Sequence, residues 1–404
     1  MLANNSKVLG STATAHRKSV PDPVGFWTIV AIFWMIYAIS GCYRLTPYNA
    51  HVYLAYSMLH GHFDLIRPPS HFELIRIAGH DYVAYGIAPS LLMLPFVALW
   101  GLDFHQALFG AVLAAMAVGF WWSILGSLNF KGSERAWLTA LFGLGSPFWF
   151  YSGRNGSTWS LSHVTVVFGL MLAIREIVGK QRGWFIGSGV GLAVLSRQPA
   201  LLSLPLFMGM LGRQKTQKRE FILAHLSFAF MFGGLILFDA YYNYARFGSP
   251  FDNGYRRLIL NSRDIGPCSW GLFNIKYVSQ NTRMYFLKLP DRLPNFPWFD
   301  PGLGGFSILV STPALFLAIG ADYHDRINLL ALCCCLTIQG VYLTYYWSGF
   351  AQFGCRYAVD YLPFVMLLAA AGARNLPRWM LHIATLAGII VEIWGIGWAA
   401  SKGL

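Results

Sequence analysis

Eleven ionisable side chains crowd the interval from Cys42 to Ala88 of this chain: Arg44, His51, His60, His62, Asp64, Arg67, His71, Glu73, Arg76, His80 and Asp81. Three are carboxylates. A carboxylate here can deprotonate an acceptor hydroxyl, or bind a metal, beside a leaving phosphate. Glu73 is the preferred catalytic candidate, with Asp64 and Asp81 as alternatives. The competing reading for each is a solvated loop acid paired with Arg67 or Arg76. The five histidines show no HxxxH or HExxH spacing, and His60 and His62, two apart, point away from each other on a helix. No metal ligand is assigned, and a divalent ion stays open as a cofactor.

Two later segments offer binding chemistry. YNYARFGSPFDNGYRR (242–257) leaves an apolar run through a Gly-Ser-Pro turn. Its Arg246, Asp252 and Arg256 either decorate a helix exit with interfacial tyrosines or line a head-group site. In YYWSGFAQFGCRYAVDYLPF (345–364), Arg356 and Asp360 stand four apart. They make either a helical ion pair, worth about 0.3–0.5 kcal/mol when exposed, or a phosphate site in which Arg356 forks onto the anion and Asp360 holds it. Tyr346, Trp347 and Tyr357 suit stacking on sugar faces and also suit a membrane belt.

The elements that must position these groups are hydrophobic. The chain has 404 residues, 56% hydrophobic, 16% aromatic and 12% charged, with mean hydropathy +0.48. Soluble domains carry about 25% charged residues, and apolar runs recur throughout. The class is all-α integral membrane, a polytopic helical bundle. The net charge of +13 fits basic cytoplasmic loops. No motif or basic–aromatic array supports nucleic-acid binding. Of six cysteines, Cys333, Cys334 and Cys335 lie in an apolar run and read as packing residues. Cys42, Cys268 and Cys355 fall on one side of the membrane, where a disulfide is possible.

Residues 1–24 read as a disordered cytoplasmic tail without a cleavable signal, followed by one membrane domain over 25–404. Spans are expected at 25–41, 104–126, 135–151, 159–178, a hairpin over 184–211 broken at Arg197-Gln198-Pro199, 221–243, 304–321, 327–346, 359–373 and 379–399. The total is about eleven transmembrane helices. The run at 88–101 is too short to cross and reads as a juxtamembrane helix. Span parity and basic loops agree on an inside tail and on large outer loops at 42–103 and 244–303. Asp239 and Glu392 stand as isolated acids within spans; proton-coupled carriage favours paired acids in repeated halves, and no internal symmetry is evident.

Taken in order, YLAYSMLHGHFDL, FELIRIAGHDYVAYGIAPSLLMLPFVALWG, GVGLAVLSRQPALLSLPL, YNYARFGSPFDNGY, STPAL and FGCRYAVDYLPF resemble the GT-C superfamily of polytopic glycosyltransferases, which includes protein O-mannosyltransferases and aminoarabinose transferases. The resemblance implies sugar transfer from a polyprenyl-phosphate donor to an envelope glycan, lipid or protein on the extracytoplasmic face of the inner membrane. It implies a catalytic carboxylate and juxtamembrane helices in the first outer loop. On that activity, Arg356, Asp360, Tyr357, Arg76, Arg44, His51, Asn49, Arg246 and Asp252 are the candidates for the donor's phosphate and sugar. Many members of the superfamily place an acid just after the first span; here that stretch, LTPYNAH, has Asn49 and His51. The alternatives are a lipid-linked saccharide transporter, which would need a continuous polar path, and an inactive envelope-assembly scaffold.

Overall fold

A computed structural model describes residues 22–154, 156–261, 268–296 and 298–403. Residues 1–21 of the expected tail, Asn155 and the side chain of Cys42 lie outside the described residues. The chain is a polytopic helical membrane protein. Helix α1 (Pro23–Tyr37) runs into a short π turn, and α2 (Ala50–Leu59) follows. Strands β1 (Leu74–Ile77) and β2 (His80–Val83) then form a hairpin, with α3 (Ala88–Trp100) beyond it. Next come α4 (Gln106–Ser127), α5 (Gly132–Gly143), α6 (Phe148–Gly153), α7 (Thr158–Val178), α8 (Gly183–Ser196), α9 (Leu204–Met210) and α10 (Lys218–Phe247). The last part holds α11 (Tyr255–Asn261), α12 (Val278–Thr282), a second two-stranded pairing of β3 (Asp291–Arg292) with β4 (Phe299–Asp300), α13 (Ile308–Ser311), α14 (Ala314–Ala318), α15 (Arg326–Thr344), α16 (Leu362–Ala373) and α17 (Arg378–Lys402).

Among the described residues, six helical segments are long and apolar enough to cross a membrane: Pro23–Gly41, Gln106–Ser127, Thr158–Val178, Lys218–Phe247, Arg326–Thr344 and Arg378–Lys402. The remaining expected spans are assembled from shorter pieces: α5 with α6, α8 with the 3-10 turn Gln198–Ser203 and α9, α13 with α14, and the 3-10 turn Arg356–Tyr361 with α16. Proline explains the breaks. Pro147, Pro199, Pro313 and Pro363 each stand within two residues of the start of the second piece, where a missing N–H costs nothing but would interrupt a continuous helix. Such breaks persist at membrane depth only where neighbouring protein satisfies the freed backbone groups.

Between the first two long apolar segments, α3 is the short apolar helix expected at 88–101. The hairpin before it was not foreseen. Ala78 and Gly79 both take positive φ, 50° and 84°, the turn geometry that matches strand twist, and they pair Leu74 with Val83 and Arg76 with Asp81.

The two ends of the bundle sort by sequence segment. At one end Arg135 pairs with Asp22 at 3.3 Å, Arg378 with Glu134 at 3.2 Å, and Lys215 donates to the Lys180 carbonyl at 3.4 Å. At the other end the Thr158 N–H donates to Tyr48 at 2.8 Å and the Tyr346 N–H to Leu272 at 2.9 Å. Cys268 and Cys355 are free thiols; Cys355 is buried against the Phe306 carbonyl, 3.2 Å away. Cys334 is buried in α15 and Cys333 is exposed.

The packing centre is α8, clasped between α7 and α10. Its Gly183 and Gly187 lie on the α10 side: a Cβ at Gly187 would stand 2.6 Å from the Phe228 carbonyl and one at Gly183 only 1.8 Å from that of Ala224. Small residues let helices approach where no hydrophobic effect drives association. Gly187→Leu is expected to cost about 1–3 kcal/mol through overpacking, read as a lower unfolding temperature in detergent. Gly234→Ala, with nothing within 4 Å of the added atom, should leave that temperature unchanged.

Candidate functional site

A cavity of about 180 Å³ opens where the α8–α9 break, the last turns of α10, the start of α7, the loop after β2 and the 341–357 segment meet. Close backbone approach builds it. A Cβ at Gly86 would lie 2.3 Å from the Leu195 and Ser196 carbonyls, so glycine lets the Tyr85 loop rest on the end of α8. Helix α10 stops just past Arg246 at Gly248, whose φ of 74° forms the usual left-handed helix stop.

Three guanidinium groups, Arg197, Arg246 and Arg356, line this cavity, and Asp239 is its single carboxylate among the described residues. Arg197 donates from Nε to Asp360 at 2.6 Å and lies over the Tyr357 ring, 5.0 Å from its centroid. Asp360 is wholly buried. It also meets His163 Nδ1 at 2.6 Å and accepts from the Tyr342 hydroxyl. Arg246 is engaged at all three nitrogens: it donates to the Val83 carbonyl at 2.6 Å, to Asn243 at 2.7 Å and to the Tyr242 carbonyl at 3.3 Å, with its Cζ 3.6 Å from the Tyr242 ring centroid. Arg356 differs. Its Nη2 makes a long bond to the Tyr357 hydroxyl, 3.4 Å, and its Nε has no hydrogen-bond partner among the described residues. Donors are thus held ready for an anion, in the planar fork that suits phosphate.

The expected Arg356–Asp360 pair is not formed. These residues lie in a 3-10 turn, Arg356–Tyr361, where three residues complete a turn and positions four apart diverge by about 120°. Asp360 therefore turns inward to Arg197 and His163, and Arg356 turns to Tyr357.

The other expected residues spread out. Glu73 is exposed in a small cleft with Phe72, Tyr85 and Trp159, where it accepts from the Tyr85 hydroxyl. Trp159 Nε1 donates to that same hydroxyl at 2.9 Å, so Glu73 reaches the main cavity through Tyr85. Asp64 sits on the hairpin surface between His80 at 2.9 Å and His62 at 3.2 Å. Burial opposes its ionisation, but the two imidazoles outweigh it and hold the carboxyl below its usual range. Asp81 pairs with Arg76 at 3.0 Å on the same hairpin. Arg44 bonds Tyr43 at 3.1 Å on the exposed surface. Asn49 precedes α2 as its N-cap without a side-chain capping bond. His51 is buried under the loop against Ser90, Ser162 and the Thr158 carbonyl; burial pushes its imidazole down to about 4. Asp252 accepts from Arg257 at 2.8 Å and from the Gly254 N–H at 2.9 Å. Burial opposes its ionisation, and these bonds still keep its carboxyl low. Arg256 is exposed. No three His, Cys, Asp or Glu side chains among the described residues could hold a metal ion, and a cavity with three guanidinium groups and one acid suits an anion better than a cation.

Sequence reasoning did not join Arg197, His163 or Tyr342 to the site, and it left Asp239 as an isolated acid. Signals existed. Arg197 interrupts an apolar hairpin, where a charge is costly unless used or paired. Asp239, Tyr242, Asn243 and Arg246, spaced i, i+3, i+4 and i+7, make one polar stripe on an apolar helix.

No protein-family model and no curated protein matches the sequence. Among solved structures the chain is similar to ArnT from Cupriavidus metallidurans bound to undecaprenyl phosphate, with a TM-score of 0.52 and 13% identity over 91% of this chain and 63% of that one. The chain has a GT-C-like fold. It also matches the S. cerevisiae protein O-mannosyltransferase Pmt1–Pmt2 complex bound to the sugar donor, with a TM-score of 0.37 and 13% identity over 69% of this chain and 39% of that chain. The chain spans 63% of the length of the ArnT structure.

Within this GT-C-like fold, Asp360 is the buried counter-charge for Arg197. Asp360→Ala is expected to lower unfolding stability by about 3–5 kcal/mol, because it strands a cation. Replacing both partners, Asp360→Leu with Arg197→Met, should recover much of that loss. Thermal unfolding of the purified variants in detergent checks both; a single variant as stable as wild type would contradict the pairing.

Proposed function

We propose that the protein is a membrane glycosyltransferase, moving a sugar from a polyprenyl-phosphate donor to an envelope lipid, glycan or protein. The observation that carries this reading is the single cavity that gathers Arg197, Arg246 and Arg356 among Tyr85, Trp159 and Tyr357. Its wall helix α10 packs on α8 along one face and leaves the rest of its apolar surface uncovered by protein, with 11% of its most apolar window buried. A prenyl chain can lie in lipid beside α10 while its phosphate enters the cavity from the interface. Aromatic walls suit the sugar's apolar faces.

On this reading the cavity end faces the extracytoplasmic side of the inner membrane, and the end with Asp22, Arg135 and Arg378 faces the cytoplasm. Charge builds on the phosphate oxygen as the bond to the sugar breaks, and Arg356 stabilises it with its unspent donors. Arg197, fixed by Asp360, adds a second positive charge. Tyr85, oriented by Glu73, flanks the acceptor side. Burial of the reacting groups limits loss of the sugar to water.

Arg356→Ala is expected to lower transfer about 10²–10³-fold, the usual effect of removing one donor to a developing oxyanion. Arg356→Lys should restore little, because an ammonium cannot fork. The assay uses proteoliposomes, radiolabelled undecaprenyl-phosphate sugars and an envelope extract as acceptor. Wild-type rates in Arg356→Ala would remove this arginine from the site. Movement of intact labelled donor across the bilayer, with no glycosidic bond made, would favour a transporter.

A further inference from the structure

We infer that Asp239, on the α10 wall of the cavity, is the general base of the transfer, in place of an acid in the first outer loop. The inference rests on the transferase reading above. Among the described residues Asp239 is the one carboxylate lining the cavity that holds Arg197, Arg246 and Arg356. The loop acids are placed otherwise. Asp64 and Asp81 are spent in surface pairs, and the Glu73 carboxylate stands behind Tyr85. The stretch after the first span supplies Asn49 and His51, and His51 is sealed beneath the loop.

Asp239 is held as a base needs to be. Asn243, one turn along α10, donates to its Oδ2 at 3.2 Å and accepts from Arg246 Nη2 at 2.7 Å. The Asp239–Asn243–Arg246 chain fixes the carboxylate and tethers it to a cation that is itself bonded to the hairpin carbonyl of Val83. Oδ1 has no hydrogen-bond partner among the described residues, which leaves a lone pair for an acceptor hydroxyl. A base of this kind typically contributes 10²–10⁴-fold.

The step balances. The acceptor oxygen bonds to the anomeric carbon while its proton passes to Asp239. The bond from that carbon to the phosphate oxygen breaks, and its electron pair stays on the polyprenyl phosphate, held by Arg356. The proton leaves Asp239 for water once the products separate.

Asp239→Asn tests this, because the amide preserves shape and can still bond Asn243. Two readouts are taken on full-length protein in proteoliposomes: binding of undecaprenyl phosphate, and transfer from radiolabelled undecaprenyl-phosphate sugars to an envelope extract. The expected result is undiminished lipid binding with transfer down at least about 100-fold, and partial recovery in Asp239→Glu. Transfer at the wild-type rate, or a loss of lipid binding equal to the loss of transfer, would overturn the assignment while the transferase reading stands. A wild-type protein that binds the lipid and transfers no sugar would overturn both.

Discussion

Arg197 stands in the middle of an apolar hairpin, and the structure around it depends on how that charge is compensated. Asp360 meets it from the far side of the bundle, bringing His163 and Tyr342 with it. An ion pair at this depth gains little net stability, since desolvation offsets most of the attraction, yet losing one partner is expensive. The pair therefore acts as a register device. It ties the α8–α9 break to the turn before α16 and to α7, and it holds one guanidinium at the wall of the cavity.

The rest of the site follows from where helices stop. Proline at 199 and 363 ends one helical piece and starts the next, and Gly248 ends α10 just beyond Arg246. Each break frees backbone and brings a polar side chain to the same level of the bundle. Glycines on α8 let α10 press close enough for its Asp239–Arg246 stripe to face the break. The three arginines then divide the work by how much of their bonding is spent: Arg246 is committed to its own scaffold, Arg197 is held by Asp360 and Tyr342, and the Arg356 guanidinium makes only the long bond to Tyr357 among the described residues.

Much of the fold was legible from hydrophobicity. The breaks in the 184–211 hairpin, the short helix at 88–100 and the long helix α10 all follow from run length and proline. The β1–β2 hairpin escaped because Ala78-Gly79 is a weak turn signal inside a charged stretch. The site was legible in part. Arg356, Tyr357 and Arg246 were singled out by type and position, and the structure brings them to one cavity. Asp360 was singled out too, but its partner was misassigned, because the i,i+4 rule holds for an α-helix and the segment is a 3-10 turn. Arg197 and Asp239 were visible as charges in apolar runs. Their meeting depends on contacts between segments about forty residues or more apart in the sequence, which no local pattern encodes. The dense ionisable loop at 42–88 drew attention for its charge, yet two of its three carboxylates, Asp64 and Asp81, are spent in surface pairs.

The central claim is that this cavity receives the phosphate of a lipid-linked sugar donor. The most direct measurement is a structure of the protein in lipid nanodiscs with undecaprenyl phosphate. The account predicts the phosphate within hydrogen-bond distance of the Arg356 guanidinium, with the prenyl chain leaving along α10. A head group bound outside the cavity at saturating lipid, with Arg356 unengaged, would contradict it.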